Sequence, residues 1–389
     1  MKKSVVYWSP CLTRVGTVKS TLNSAISLAK YSKNYEVTII NVFGEWSSYK
    51  NYLNQNNVNL KNLTFNYYKL LPKNGFLKSR ISYIIIFLIS ALPLLFYINK
   101  RKPDYLIIHL ITSLPLFLLN FFKLQTQVIL RISGFPKMNI LRKKLWVKSQ
   151  NKIFKITSPT EQLKNDLISK NIFKKEKVET LFDAIINVKD LIKKKNKSDV
   201  TNYEKITKNF FLSAGRFTRQ KNFIYLIREF GKFLKFYPDE KLLIIGEGEL
   251  KKKMQEEILK LDLSNSVRIQ NYTENIYYFM KNSKCFILSS LWEEVGFVMV
   301  EASFCNNFII SSNCKNGPEE FLENGSAGLI FSNNKKNMLC EKLIEFKKLD
   351  NNTIFKKKIL AKKNCSNFTM FNHYKKIKYI LSSNQKIIN

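Results

Sequence analysis

Along the first half of the chain, short apolar runs alternate with longer segments of helical period. That is the pattern of a parallel sheet covered by helices. Strands are expected at residues 4–8, 35–42, 63–68, 105–110, 127–132, 155–158 and 177–181. Helices are expected at 21–31 and 160–168, the second opening on Ser158-Pro159-Thr160, a helix start. Around Ile186 the pattern breaks, and 191–208 is polar, Lys-rich and short of apolar anchors, as an interdomain linker would be. A second alternating series follows, with strands at 210–214, 241–245, 267–270, 285–289 and 308–311. Its helices fall at 223–237, 250–259, 273–281 and 297–304, and Gly317-Pro318-Glu319-Glu320 turns into a further one. The expected fold class is therefore α/β, with two Rossmann-like doubly wound domains facing a cleft and ligands at the carboxyl ends of the strands. The first domain covers 1–190, the linker 191–208 and the second domain 209–365, with a last segment at 366–389.

Two uncharged runs, 81–98 and 105–122, each last eighteen residues, at the lower limit for crossing a bilayer. The second carries His109, Thr112, Ser113 and Asn120 and follows the turn Lys102-Pro103-Asp104, so it reads as a strand and then a helix. The first is an apolar helix flanked by Lys78, Arg80, Lys100, Arg101 and Lys102. It is expected to be buried or to lie in a membrane interface, with a true span as the alternative. Met1-Lys2-Lys3 precedes an apolar run too short for a cleavable signal.

Composition adds a strong positive charge. The chain has 389 residues, 45% of them hydrophobic, and a formal net charge of +36. The basic residues are scattered in short groups such as Arg142-Lys143-Lys144 and Lys193-Lys194-Lys195, not focused into one patch. Nucleic acid is therefore not an expected partner, whereas attraction to an anionic membrane surface is. Six cysteines without CxxC spacing and two histidines argue against zinc and suit reduced, buried thiols in a cytoplasmic protein.

The segment with the sharpest chemistry is 292–302. A buried strand ends in Glu293 and Glu294, Gly296 follows, and an apolar helix opens at Phe297-Val298 with Glu301 directly behind its apolar run. The free N–H groups and positive dipole end of such a helix suit a diphosphate. A carboxylate at Glu301 is placed to accept from a ribose hydroxyl pair, and Glu293 from sugar hydroxyls. The bland alternative is an ordinary helix start with acidic residues in its first turns. Arg216 and Lys221 lie in a Gly-led loop after a buried strand, a usual place for phosphate contacts.

Glu293 and Glu301, with seven residues between them, resemble the Glu-x7-Glu signature of the retaining glycosyltransferases of family 4, the glycosyl transferases group 1. Gly215-Arg216-Phe217 with Lys221-Asn222 is similar to that family's Gly-Arg…Lys loop, and Gly246-Glu247-Gly248 looks like its Gly-x-Gly turn. Gly317-Pro318-Glu319-Glu320 falls where the family has a later Gly/Glu turn, while Glu294-Val295-Gly296 keeps only the second glycine of its usual Gly-Phe-Gly. The resemblance implies the GT-B fold, with an N-terminal acceptor domain, a C-terminal donor domain and a final helix crossing back to the first. It also implies transfer of a sugar from a nucleotide sugar, UDP-linked, with retention. Arg216, Lys221, Gly246, Gly248, Gly296, Phe297, Val298 and Glu301 would bind the donor, and Glu293 would be catalytic. No metal or other cofactor is implied.

In the first domain Gly16 resembles the family's glycine loop near acceptor and diphosphate, with a plain turn glycine as the alternative. His109, at a strand's carboxyl end, stands where the family carries a cleft-facing, catalytic His, with a satisfied core histidine as the alternative. Arg131 ends another strand and is a candidate acceptor or phosphate contact, or a structural ion pair. His373 is expected to pack. The acceptor is expected to be a glycan or lipid-linked hydroxyl at the cytosolic membrane surface. Rival readings are a GT-B epimerase or inverting transferase, and a non-catalytic basic membrane-surface or nucleic-acid binding protein.

Overall fold

A computed structural model describes residues 2–12, 16–72, 76–135, 138–197 and 209–383. The chain divides into two compact units, one of Met1–Ile185 with Thr369–Asn389 and one of Ile186–Phe368.

The first unit runs β1 (Lys3–Trp8), α1 (Gly16–Tyr31), β2 (Tyr35–Asn41), α2 (Lys50–Gln55), β3 (Asn59–Asn62), α3 (Phe76–Arg101), β4 (Tyr105–Ile108), α4 (Ser113–Phe121), β5 (Gln127–Arg131), α5 (Ile140–Ser149), β6 (Lys155–Ser158), α6 (Glu161–Ser169) and β7 (Val178–Thr180). All seven strands are parallel, in the order β3-β2-β1-β4-β5-β6-β7. The order reverses between β1 and β4, the switch point at which such sheets bind ligands. Successive residues of each strand feed opposite faces. Val6, Trp8, Leu106, Ile108 and Leu130 join one core, and Val5, Tyr7, Ile107 and Ile129 the other. That is why these strands read as unbroken apolar runs.

The third strand differs from expectation. Residues 63–68 are not a strand; pairing with β2 falls on Asn59–Asn62, whose side chains are mostly exposed. An edge strand has one neighbour and needs few apolar residues. The apolar character of 63–68 reports a loop instead, which buries Tyr67 and Leu71 in the core beside Phe43.

Helix α3 buries one ridge and exposes another. Ser82, Ile86, Ser90, Leu94 and Ile98, four residues apart, are buried. Ile84, Leu88, Leu92 and Phe96, also four apart, are 59%, 71%, 64% and 72% exposed. The helix is long and apolar enough to cross a membrane by length and composition, and its buried ridge packs on the first unit's core.

The second unit runs α7 (Val188–Asn196), β8 (Phe211–Ala214), α8 (Phe223–Leu234), β9 (Leu242–Ile245), α9 (Lys251–Lys260), β10 (Val267–Gln270), α10 (Ile276–Asn282), β11 (Cys285–Leu288), α11 (Phe297–Phe304), β12 (Phe308–Ser312), α12 (Pro318–Phe321), β13 (Leu329–Phe331), α13 (Met338–Lys348) and α14 (Asn351–Asn364). Its six parallel strands take the order β10-β9-β8-β11-β12-β13, again reversing beside the first strand of the unit. The start of the expected linker is helical: α7 continues to Asn196, anchored by buried Leu191. The Asn275 side chain donates to the Lys194 and Lys197 carbonyls. The rest of that linker, 198–208, lies outside the described residues.

Helix α15 (Met370–Ser382) belongs to the first unit, where Met370, Tyr374, Ile377, Ile380 and Leu381 join the core that holds α1. His373 ties it in. Its Nδ1 donates to the Phe182 carbonyl (2.7 Å), so its Nε2 accepts from the Ser24 hydroxyl (2.7 Å), which bonds Tyr7 in turn (2.9 Å). Burial pushes its pKa down to about 3 and keeps the ring neutral. All six cysteines are free and buried.

Candidate functional site

In the second unit, three strand ends build the site. After β8 the chain turns at Gly215, and after β9 at Gly246. Gly215 donates to the Ile245 carbonyl (3.0 Å) and Phe217 to the Glu247 carbonyl (2.7 Å). A Cβ on Gly246 would stand 1.9 Å from the Gly215 carbonyl oxygen, and one on Gly248 2.5 Å from that of Phe217. Only glycine lets the two turns lie against each other. Arg216, beside this contact, is exposed and makes no ion pair among the described residues.

Lys221 and Glu293 meet. The Lys221 ammonium is bonded to Glu293 Oε1, which also accepts from the Ser290 hydroxyl (2.6 Å). Their side chains are 13% and 9% exposed. Two further contacts fix the pair: Ser289 donates to the Lys221 carbonyl (2.8 Å), and the Gln220 side chain to the Trp292 carbonyl (2.9 Å). The cation expected to clamp a phosphate and the carboxylate expected to meet a sugar thus form one buried unit.

Gly296 caps α11 with φ 76° and ψ 59°, a left-handed conformation that an L side chain adopts only with strain. Glu294 and Val295 have no such backbone, so the one glycine kept in this segment is the one the turn requires. Met299 donates back to Gly296 (2.8 Å). The N–H groups of Phe297 and Val298 have no acceptor inside the helix, by helix geometry. Behind them Glu301 is buried and accepts from the Tyr277 hydroxyl (3.1 Å). Gly317 backs the segment: a Cβ there would stand 2.5 Å from the Glu294 carbonyl oxygen.

In the first unit, His109 and Arg131 share a cavity of about 620 Å³ at the ends of β4 and β5, with Leu12, Ile111, Leu141 and Trp146 among its walls. The imidazole Nδ1 is bonded to the Thr21 hydroxyl (2.8 Å), itself 3.1 Å from that of Ser9. Its Nε2 is buried without a hydrogen-bond partner among the described residues. Burial, aided by Arg131, holds the imidazole well below its ordinary pKa, hence neutral. Arg131 is committed through Nη2 to a buried ion pair with Asp183, with Ser20 bridging both, and its Nη1 is buried without a hydrogen-bond partner among the described residues. The structural alternative for Arg131 is thus realised, because a buried guanidinium requires a counter-charge. Gly16 is exposed at the start of α1 and lines neither this cavity nor the one beside β2; residues 13–15 of its loop lie outside the described residues. Sequence reasoning missed Asp183, Ser290 and Tyr277, which act on the named residues across 52, 3 and 24 positions.

Residues 193–359 match the family model for glycosyl transferases group 1. That match lies within the second unit, which resembles a group 1 glycosyl transferase domain. An uncharacterized glycosyltransferase of Methanocaldococcus jannaschii is 46% identical over 112 residues, 29% of this chain and 28% of that protein. The N-acetylgalactosamine-N,N'-diacetylbacillosaminyl-diphospho-undecaprenol 4-alpha-N-acetylgalactosaminyltransferase of Campylobacter jejuni is 29% identical over 180 residues, 46% of each chain. The chain thus spans less than half the length of these curated relatives. The solved structure of Anabaena HepE, in complex with UDP and glucose, superposes with a TM-score of 0.70 at 15% identity, covering 98% of this chain and 100% of that one. With its two Rossmann-like units, the chain shares the GT-B fold of that structure.

Proposed function

We propose that the protein is a retaining glycosyltransferase that moves a sugar from a nucleoside-diphosphate sugar, with UDP as carrier, to a hydroxyl of a lipid-linked or cell-envelope glycan. The observation that carries this reading is the buried Lys221–Glu293 pair beside the open N-terminus of α11. As the bond from the anomeric carbon to the diphosphate breaks, the departing nucleotide gains negative charge, and fixed cations and dipoles must meet it. Arg216, Lys221 and the Phe297 and Val298 N–H groups supply them in this reading, which calls for no metal. Glu301 accepts from the ribose hydroxyls and Glu293 from the donor sugar. The acceptor oxygen bonds the anomeric carbon on the face the diphosphate leaves, and its proton passes to the departing phosphate oxygen. In the first unit, His109, neutral with an open Nε2, is the candidate catalytic histidine of this reading.

The Campylobacter relative bears a diphospho-undecaprenol acceptor in its name, and HepE was solved with UDP. Both favour this donor and acceptor class. The exposed apolar ridge of α3, with Lys100, Arg101 and Lys102 at its end, favours a place on the cytosolic face of a membrane. The test is to incubate the protein with UDP-, GDP- and ADP-sugars and membrane lipid extracts, follow nucleotide release, and read the product's anomeric configuration by NMR. Acceptor-dependent UDP release with a retained anomeric centre is expected. An inverted product, or no nucleotide sugar consumed, overturns the proposal.

A further inference from the structure

Helix α10 carries a side chain that the steps above leave unused. Tyr277 is buried, and its hydroxyl donates to Glu301 Oε1 (3.1 Å), on the carboxylate that accepts from the ribose in the proposed function. The phenol takes one of the roughly four lone-pair sites a carboxylate offers. A hydrogen bond to a carboxylate is charge-assisted and belongs to the stronger class.

A glutamate has three side-chain torsions, so its carboxylate can face a ligand in many orientations. Two hydroxyls on adjacent ribose carbons need it in one. Fixing the carboxylate before the ligand arrives removes an ordering cost from binding.

Tyr277 is itself held in place. The Lys194 ammonium stands over its ring, 6.0 Å from the centroid. Two residues earlier, the Asn275 side-chain amide donates to the Lys194 carbonyl (3.0 Å) and the Lys197 carbonyl (3.1 Å). These carbonyls lie at the C-terminal end of α7, where a helix cannot satisfy them from within. In the last turn of α10, the Lys281 ammonium donates to Asn196 Oδ1 (2.9 Å). The end of α7 is thus bonded to both ends of α10, with Tyr277 between. Lys195, also on α7, stands 5.8 Å from the ring centroid of Phe304 on α11, the helix that carries Glu301.

We propose that Tyr277 is a positioning residue for nucleotide recognition: it sets the Glu301 carboxylate to accept from the ribose hydroxyl pair, and the contact between α7 and α10 holds it there. The inference rests on the donor reading of Glu301 and adds a second residue on which ribose selectivity depends. A phenol that merely satisfied a buried carboxylate would stabilise the fold and leave ligand choice unchanged.

The experiment compares UDP with 2′,3′-dideoxy-UDP, which lacks the ribose hydroxyl pair, by calorimetric titration of the full chain. The wild type is expected to prefer UDP. Tyr277→Phe keeps the ring beneath Lys194 and removes only the hydroxyl. It should weaken UDP about tenfold and leave the dideoxy nucleotide unchanged. Asn275→Ala, at the contact with α7, should narrow the ratio of the two affinities about threefold, and it serves as the test if Tyr277→Phe does not fold. A ratio that survives these substitutions overturns the proposal, whatever happens to the melting temperature, and leaves the ribose reading of Glu301 standing. Equal binding of both nucleotides by the wild type, or no UDP binding, removes that reading and the inference with it.

Discussion

At residue scale the main outcome is that the chemistry-bearing side chains act in pairs. Lys221 and Glu293 share one ion pair, so neither has a separable contribution. Lys221→Met, Glu293→Gln and the double variant, compared by kcat/KM, should be non-additive, with a coupling of about 1–3 kcal/mol; additive losses would mean that the pair is incidental. Two buried titratable groups give opposite pH signatures. His373 titrates at about 3 in the fold against its ordinary 6.5, so its stabilising contribution is complete above 6.5 and is lost as pH falls toward 3. Burial raises Glu45 from 4.5 to about 7, so its contribution is complete below 4.5 and is lost as pH rises through 7. Each slope is about 1.4 kcal/mol per pH unit. In urea denaturation, the stability gap between wild type and His373→Gln should therefore shrink by about 2 kcal/mol between pH 6.5 and 5. A constant gap would contradict a neutral buried ring. Glu301 and Glu293 were legible because a carboxylate beside an apolar run is anomalous. Asp183 and Tyr277 were not, because their partners are distant in sequence and ordinary in type.

At element scale the strands were legible where both faces are buried, since unbroken apolar runs leave one reading. They were illegible at the edge: Asn59–Asn62 has few apolar residues, and the neighbouring 63–68 mimics a strand while serving as a core-filling loop. The start of the expected linker misled for the opposite reason, since a Lys-rich helix held by one buried leucine looks like solvent-exposed chain. Turn glycines set a sharper test. A Cβ on Gly246 would enter the Gly215 carbonyl at 1.9 Å, whereas Gly325, at φ 105°, has open space around it. Gly325→Ala should lower stability by about 1 kcal/mol through backbone strain alone. Gly246→Ala should lower it by more and also weaken nucleotide binding; equal melting-temperature losses with unchanged nucleotide affinity would contradict the interlocked turns.

At the scale of the whole molecule, charge and exposed apolar surface act together. A formal charge of +36 and the exposed Ile84, Leu88, Leu92 and Phe96 ridge both suit the proposed contact with an anionic membrane surface. Cosedimentation with phosphatidylglycerol-containing vesicles should fall as salt rises, and Leu88→Gln with Leu92→Gln should weaken it while leaving turnover on a soluble acceptor intact. Vesicle binding unaffected by both changes would place the contact elsewhere.

In the proposed function the strand-end segment from Glu293 to Glu301 holds the donor nucleotide. Calorimetric titration of UDP into wild type and into Glu301→Ala tests it most directly. The wild type is expected to bind UDP, and losing the proposed ribose-accepting carboxylate to weaken binding by roughly 10- to 100-fold, with the melting temperature of the free protein little changed. Equal UDP affinity in the two proteins would contradict it.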